Sequence, residues 1–225
     1  MSEKKTLRTL IVGASGGIGL ALAERCAQDG EVLTLSRTDD GLDITDESSI
    51  ERGVGRVDGD FDRIFLATGI LSVEPAGPER RLEECKPESL AYLMAVNAIG
   101  PLMVLKHLKT KLVRDTTARI GVLSARVGSI GDNRIGGWYG YRASKAALNQ
   151  YLRCAAIELS RSHKSLTLVA LHPGTVETPF TAAYQGRHKT VLPREAAANL
   201  VRVLDRLATE DTGGFFDQHG EPIDW

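Results

Sequence analysis

Cysteine is scarce in this chain: Cys26, Cys85 and Cys154 are the only three in 225 residues, and they lie far apart. An odd and scattered set argues against a disulfide framework and against a zinc site, and it suits a reducing compartment. Excess charge is lacking too. Twenty-eight Lys and Arg against 29 Asp and Glu leave a formal net charge of -1, which gives no electrostatic reason to expect nucleic acid or an anionic membrane as partner. No apolar run reads as long enough to cross a bilayer. The opening MSEKKTLRTLIVGASG passes from two lysines into a glycine-broken strand, unlike a signal peptide. Internal repeats, low-complexity tracts and interdomain linkers are also missing. The expectation is one domain over residues 1–225, cytoplasmic, with neither nucleic acid nor membrane as partner and no metal.

What is present is a soluble balance of 42% hydrophobic and 25% charged residues, in a chain long enough to bury a substantial core. Short apolar, β-branched runs alternate with longer segments of helical period. Strands are expected at Leu7–Val12, Val32–Ser36, Leu42–Ile44, Ile64–Ala67, Ile120–Ser124 and Leu166–Leu171, with a closing strand at Gly213–Phe216. Helices are expected at Ile18–Gln28, Pro87–Leu112, Gly140–Ser160 and Pro193–Leu207. Such alternation implies an α/β fold: a doubly wound parallel sheet with right-handed crossovers and helices on both faces.

Two local patterns carry chemistry. Gly13-Ala14-Ser15-Gly16-Gly17-Ile18-Gly19 follows an expected strand and opens an expected helix. Glycines there let the backbone turn tightly and approach a pyrophosphate, which the helix start then favours. The spacing differs from the common GxGxxG, and a glycine-rich strand–helix turn without a ligand is the bland alternative. Further on, Tyr141 and Lys145 stand four residues apart near the start of a helix, hence on one face. An ammonium beside the phenol would lower its pKa towards the range of a proton donor and acceptor. In isolation such a pair is more often a packed tyrosine beside a solvated lysine.

Together these residues resemble the short-chain dehydrogenase/reductase family. The loop is similar to that family's T-G-x-x-x-G-x-G, with Val12 in place of threonine, and Asn97 lies mid-helix as the family's asparagine does. The segment His172-Pro173-Gly174-Thr175-Val176-Glu177-Thr178 resembles its Pro-Gly stretch after the sixth strand. Ser129–Asn133, Gly136–Tyr141 and Asp217–Trp225 look like the subgroup of C-factor and sniffer-type carbonyl reductases. The resemblance implies a Rossmann-type fold and NAD(P)H-dependent reduction of a small-molecule carbonyl, or the reverse oxidation. It makes Tyr141 the proton donor, Lys145 its tuner and ribose contact, and Asn97 the holder of a relay water. Gly13, Ser15, Gly16, Gly17, Ile18, Gly19, Gly69, Pro173, Gly174, Val176 and Thr178 would bind the cofactor together with Tyr141 and Lys145. A homodimer or homotetramer through Pro87–Leu112 and Gly140–Ser160 is implied as well.

Several positions depart from the pattern. Where the family carries a serine to polarise the carbonyl, this chain has Ala125; Ser129, ahead of Ser124, is the candidate replacement. Losing one such donor costs about 100- to 1,000-fold in rate. Leu66-Ala67-Thr68-Gly69 stands where the family has Asn-Asn-Ala-Gly. At the end of the second strand, Ser36-Arg37-Thr38 replaces an NAD-selecting acid. Arg37 could pair with a 2′-phosphate, so NADP is favoured over NAD, with Asp43 as an adenine contact. The short lid Phe180–Leu192, with Tyr184, Arg187, His188 and Lys189, suggests an open site for a small carbonyl. The rival reading is a dinucleotide-binding regulator with feeble turnover, to which Ala125 gives a physical basis. A sugar-nucleotide epimerase is disfavoured, because it needs a larger C-terminal substrate domain.

Overall fold

The computed structural model describes residues 6–112, 117–184 and 190–225. Arg187, His188 and Lys189 of the expected lid lie outside the described residues, as does the side chain of Tyr184. Six strands form one sheet: β1 Leu7–Val12, β2 Gly30–Leu35, β3 Arg63–Leu66, β4 Ala118–Leu123, β5 Leu166–His172 and β6 Phe215–Asp217. Their order is β2-β1-β3-β4-β5-β6, with every neighbouring pair parallel. Among the described residues, seven α-helices flank it: α1 Gly17–Cys26, α2 Arg37–Asp40, α3 Glu47–Gly55, α4 Pro87–Met94, α5 Gly100–Leu108, α6 Tyr139–Leu159 and α7 Pro193–Arg206.

Successive strand residues face opposite sides, and that period divides the core in two. Leu10, Val12, Ile64, Leu66, Leu168 and Ala170 join a cluster that includes Val54, Leu105 and Leu148 of α3, α5 and α6. Ile11, Phe65, Val169 and Leu171, the residues between them, join Leu22 of α1 and Leu200 of α7. A sheet covered on both faces favours apolar side chains on both, which is why Leu10–Val12, Ile64–Leu66 and Leu168–Leu171 are unbroken apolar runs.

Leu42–Ile44 does not form the expected strand. Leu42 is buried, but its backbone is held locally: Leu42 N–H donates to Ser36 O at 3.0 Å, Asp43 N–H to Ser49 Oγ at 3.0 Å, and Thr45 N–H to Asp43 Oδ1 at 2.8 Å. Short polar side chains thus take the place of a ladder partner. The long helix expected at Pro87–Leu112 is interrupted as well. A π turn at Ala95–Ile99 separates α4 from α5, and Lys109–Lys111 closes as a 3₁₀ turn. The sequence contains a cause: Pro101 has no N–H to give the Asn97 carbonyl four residues earlier, and such ladder defects are where π turns occur. By length and composition Pro87–Lys111 would pass as a membrane span, contrary to the sequence reading. Leu93, Ala98, Val104, Leu105 and Leu108 are instead buried in the fold.

The site follows from the topology. The chain moves outward from β1 to β2 and then crosses back to β3, so a crevice opens at the carboxyl ends of β1 and β3. This is the switch point at which doubly wound sheets bind ligands. Gly13 N–H donates to Leu35 O and Ala67 N–H to Val12 O, both at 2.7 Å, which fixes the two strand exits at the crevice floor.

Candidate active site

A cavity of about 910 Å³ opens at these strand ends. Ser15, Gly16, Gly17, Ile18 and Gly19 line one wall, Gly69 and Lys145 its middle, and Pro173, Gly174, Val176 and Thr178 the rim. The glycine wall is sterically required at two positions. A Cβ on Gly19 would overlap the Gly13 carbonyl oxygen, and one on Gly17 would stand 2.7 Å from Thr178 Cγ2. The first N–H groups of α1 therefore lie open beneath the Thr178 segment, with no side chain capping them at Gly16. A helix start of this kind is an anion site. Thr68 Oγ1, also in the cavity wall, is buried with no hydrogen-bond partner among the described residues. A glycine floor with an anion-seeking helix start and an orphan hydroxyl suits a pyrophosphate-linked dinucleotide.

The other half of the cavity is built on α6. Trp138, in the left-handed region at φ 52°, precedes the helix, and its N–H donates to Glu79 O. The buried Glu79 carboxylate accepts from Gly140 N–H at 3.1 Å, a charge placed where the helix dipole favours it. α6 then places Tyr141 and Lys145 on one face. Tyr141 is buried against Leu71 and Ala125, with Trp138 and Phe180 edge-on to its ring at centroid distances of 6.2 and 5.9 Å. Lys145 Nζ donates to Leu123 O at 2.9 Å and stands 6.0 Å from the Tyr141 ring centroid.

The electrostatics depart from the expected tuning. Burial pushes the Tyr141 phenol well above its ordinary value, because phenolate loses solvation there. Burial also brings Lys145 down to about 8. In this geometry the lysine does not lower the tyrosine, whose neutral, proton-carrying form is the stable one.

Asn97 is fully buried, and both of its amide N–H groups are spent. Oδ1 accepts from Ile70 N–H at 2.8 Å, while Nδ2 donates to Ile70 O at 2.8 Å and to Ser144 Oγ at 3.0 Å. The side chain therefore locks the strand exit at Gly69–Ile70 onto α6.

Ser129 is not brought to the site. Its Oγ accepts from Asp132 N–H at 3.2 Å within the loop turn, and it does not line the cavity. Ser124 does line it, but its hydroxyl donates to Asn149 Oδ1 at 2.6 Å. Ala125, at the position expected to carry the hydroxyl, is the residue that packs beside Tyr141. No serine stands at that position; the Ser129 hydroxyl turns into its own loop and the Ser124 hydroxyl onto Asn149.

Arg37 and Asp43 lie beyond the cavity wall. Arg37 is exposed at the start of α2. The Asp43 carboxyl bonds Thr45 N–H and Oγ1 at 2.8 and 2.7 Å, and these bonds hold it below the ordinary carboxylate range. Two acids missed in the sequence stand here as well. Ser36 N–H donates to Asp40 Oδ2 at 2.7 Å and Ser36 Oγ to Asp39 Oδ2 at 2.8 Å. Their position just past the second strand was the available signal. Leu71 was missed too, and Phe180 and Trp138, read in the sequence as part of the lid and of the segment before Tyr141, are brought against the Tyr141 ring by the fold.

Comparison with known proteins agrees with this geometry. The family model for short chain dehydrogenases matches residues 8–188. The chain is 30% identical to 1-hydroxy-2-glutathionyl-2-methyl-3-butene dehydrogenase of Rhodococcus sp. (strain AD45), over 96% of this chain and 98% of that one. It is 34% identical to C-signal of Myxococcus xanthus, over 60% of this chain and 78% of the other. A short-chain dehydrogenase/reductase from Burkholderia multivorans with bound NADP superposes with a TM-score of 0.79 at 26% identity, covering 98% and 100% of the two chains. A nicotinamide dinucleotide is thereby the cofactor class that this glycine-floored cavity serves. With its glycine loop, its Tyr141–Lys145 helix face and its doubly wound sheet, the chain belongs to the short-chain dehydrogenase family of oxidoreductases.

Proposed function

We propose that the protein is an NADP(H)-dependent carbonyl reductase in which Tyr141 is the general acid. The observation that carries this reading is a buried, proton-holding Tyr141 facing the same cavity as the glycine loop. Bound nicotinamide would supply the hydride. Tyr141 would give its proton to the carbonyl oxygen as charge develops there, and burial favours the protonated starting form. The Lys145 ammonium, anchored on Leu123 O, would stabilise the charge left on the tyrosine and reach the cofactor ribose. The Asn97 carbonyl, deprived of its ordinary helical donor by Pro101, would accept from a water that returns the proton to Lys145.

Arg37 supports NADP, as does the bound NADP of the Burkholderia relative. A second reading, NAD, is favoured by one observation: the Asp39 and Asp40 carboxylates bonded to Ser36 could accept from a ribose 2′-OH and would repel a 2′-phosphate. Titration with NADPH and NADH, followed by nicotinamide fluorescence, separates the two. Tyr141→Phe should then abolish aldehyde reduction while cofactor affinity is kept. Binding of neither dinucleotide would sink the reductase reading, and turnover that survives Tyr141→Phe would sink the role of Tyr141.

For assembly, we propose a homodimer or homotetramer through α4–α5 and α6. Tyr92, Ile99 and Ile157 on these helices are 44%, 42% and 47% exposed, and apolar side chains on adjoining helices gain by mutual burial. A monomer by light scattering would dispose of this.

A further inference from the structure

The substrate half of the cavity has an unbalanced charge. Among its described lining residues, Arg80, Arg126, Arg134, Arg142 and Lys145 face a single carboxylate, Asp132. The whole chain is close to neutral, so the imbalance is local. Lys145 belongs to the proton chemistry. The four arginines lie away from the glycine loop: Arg80 on the loop before the 3₁₀ turn Leu82–Glu84, Arg126 and Arg134 on the β4–α6 connection, and Arg142 in the first turn of α6.

Their partners differ. Arg126 is shared between Asp132 and Asp217, both at a slack 3.5 Å. Among the described residues, Arg134 bonds the Asn133 carbonyl at 3.4 Å and no carboxylate. The exposed Arg80 makes no side-chain ion pair among the described residues. Arg142 is the best placed. Its Nε donates to Gly137 O at 3.0 Å and one Nη1 hydrogen to Val127 O at 3.4 Å. Two of the five guanidinium donors are thereby spent on fixing its orientation, and three remain, with no carboxylate beside them. Arg142 is half-buried and directly follows Tyr141 in the chain. A partly desolvated, pre-oriented guanidinium with no counter-ion among the described residues is a poor structural investment and a good anion receptor. Low-dielectric walls focus the field of the neighbouring arginines on the same opening.

We propose that the carbonyl substrate carries a carboxylate, which Arg142 binds as its main counter-charge while Arg80 and Arg134 draw it to the mouth. This rests on the reductase reading, and it adds a substrate class to that reading. The α1 start, where a pyrophosphate would sit, is lined by Ser15–Gly19, and none of the four arginines hydrogen-bonds to that loop among the described residues.

The test uses a matched pair, 4-carboxybenzaldehyde and its methyl ester, each reduced with NADPH by the full chain. The acid should exceed the ester in kcat/KM by about tenfold or more, the scale of one charge-assisted hydrogen bond. The advantage should reside in KM and shrink with added salt. Arg142→Met should lower the acid-to-ester ratio by a similar factor, with partial return in Arg142→Lys. Arg80→Met, at an exposed position that does not endanger folding, should lower it less. The ratio cancels any general loss of activity. An acid-to-ester ratio near one, or one indifferent to both arginines, would overturn the proposal. If neither aldehyde is reduced, the reductase reading has failed, and binding followed by tryptophan fluorescence decides separately. Acid-selective binding lost in Arg142→Met upholds the anion site, whereas equal or absent binding overturns it.

Discussion

Asn97 and Ile70 hold each other by two reciprocal hydrogen bonds of 2.8 Å, one to the Ile70 N–H and one from the Asn97 amide to the Ile70 carbonyl. The pair ties the exit of β3 to the π turn and, through Ser144 at 3.0 Å, to the helix that carries Tyr141. Replacing Asn97 with Ala strands both backbone groups. The expected cost is about 1 to 3 kcal/mol, read as a lower denaturation midpoint with an unchanged slope. Dinucleotide affinity should fall with it, because Gly69 lines the cofactor cavity. Unchanged stability would show that water replaces the amide without loss.

Ala125 occupies the position at which the family resemblance calls for a carbonyl-polarising hydroxyl, packed beside Tyr141 and 8% exposed. Ala125→Ser should therefore raise kcat for a simple aldehyde by about 10- to 100-fold, within the range of one oxyanion donor, with little change in cofactor affinity. Stopped or slowed turnover would mean that this wall polarises the carbonyl by other means.

Lys145 supplies a pH signature. Its folded-state pKa is lowered to about 8 by burial, so the ammonium is present below that value and is lost as pH rises through it. Tyr141 stays protonated across the same interval, since burial pushes it upward. The kcat/KM for carbonyl reduction should be level on the acid side and decline above pH about 8. Lys145→Arg, whose guanidinium does not titrate there, should flatten the decline even where the plateau is lower. A wild-type profile that stays level through that region would remove Lys145 from the proton chemistry.

A buried ion cluster lies at the other end of the sheet. Arg63, 4% exposed at its side chain, meets Asp205 through Nε and Nη2 at 2.7 and 2.8 Å and Asp29 through Nη1 at 2.9 Å. Burial raises Asp29, but hydrogen bonds from Arg63 and Arg25 outweigh it and hold the carboxyl below its ordinary value of 3.8. A depressed carboxylate stabilises the fold above its unfolded pKa, and that stability is lost as pH falls through the folded one. Arg63→Met should cost about 3 kcal/mol near neutrality, towards the low end for a broken buried pair because Asp205 can rehydrate. It should also flatten the acid limb of stability below pH about 4. An unaltered acid limb would assign that limb to other carboxylates.

Most of the scaffold was legible because its determinants are local. Leu7–Val12 and Leu166–Leu171 are strands buried on both faces, so their apolar runs announce themselves. The glycine loop and the Tyr141–Lys145 spacing are also readable in a few consecutive residues. Leu42–Ile44 misled for the same reason, since burial of Leu42 imitates a strand while the side chains of Asp43 and Ser49 satisfy the backbone. Ser129 failed on orientation: a loop hydroxyl points wherever its turn closes, here onto Asp132 N–H. The arginine-lined wall was illegible because Arg80 and Arg142 are 62 positions apart and only the fold places them on one cavity.

The segment between Ile70 and Glu79 is fastened at both ends. Asn97 grips Ile70, and Glu79 grips Trp138 and Gly140 at the start of α6. Between those fastenings the turn at Glu74–Gly77 faces solvent, and a side chain added at Gly77 would touch nothing within 4 Å. For protein engineering, this turn is a place where a reporter peptide can be spliced in without loosening the active-site helix. Cutting the chain at either fastening would set that helix adrift.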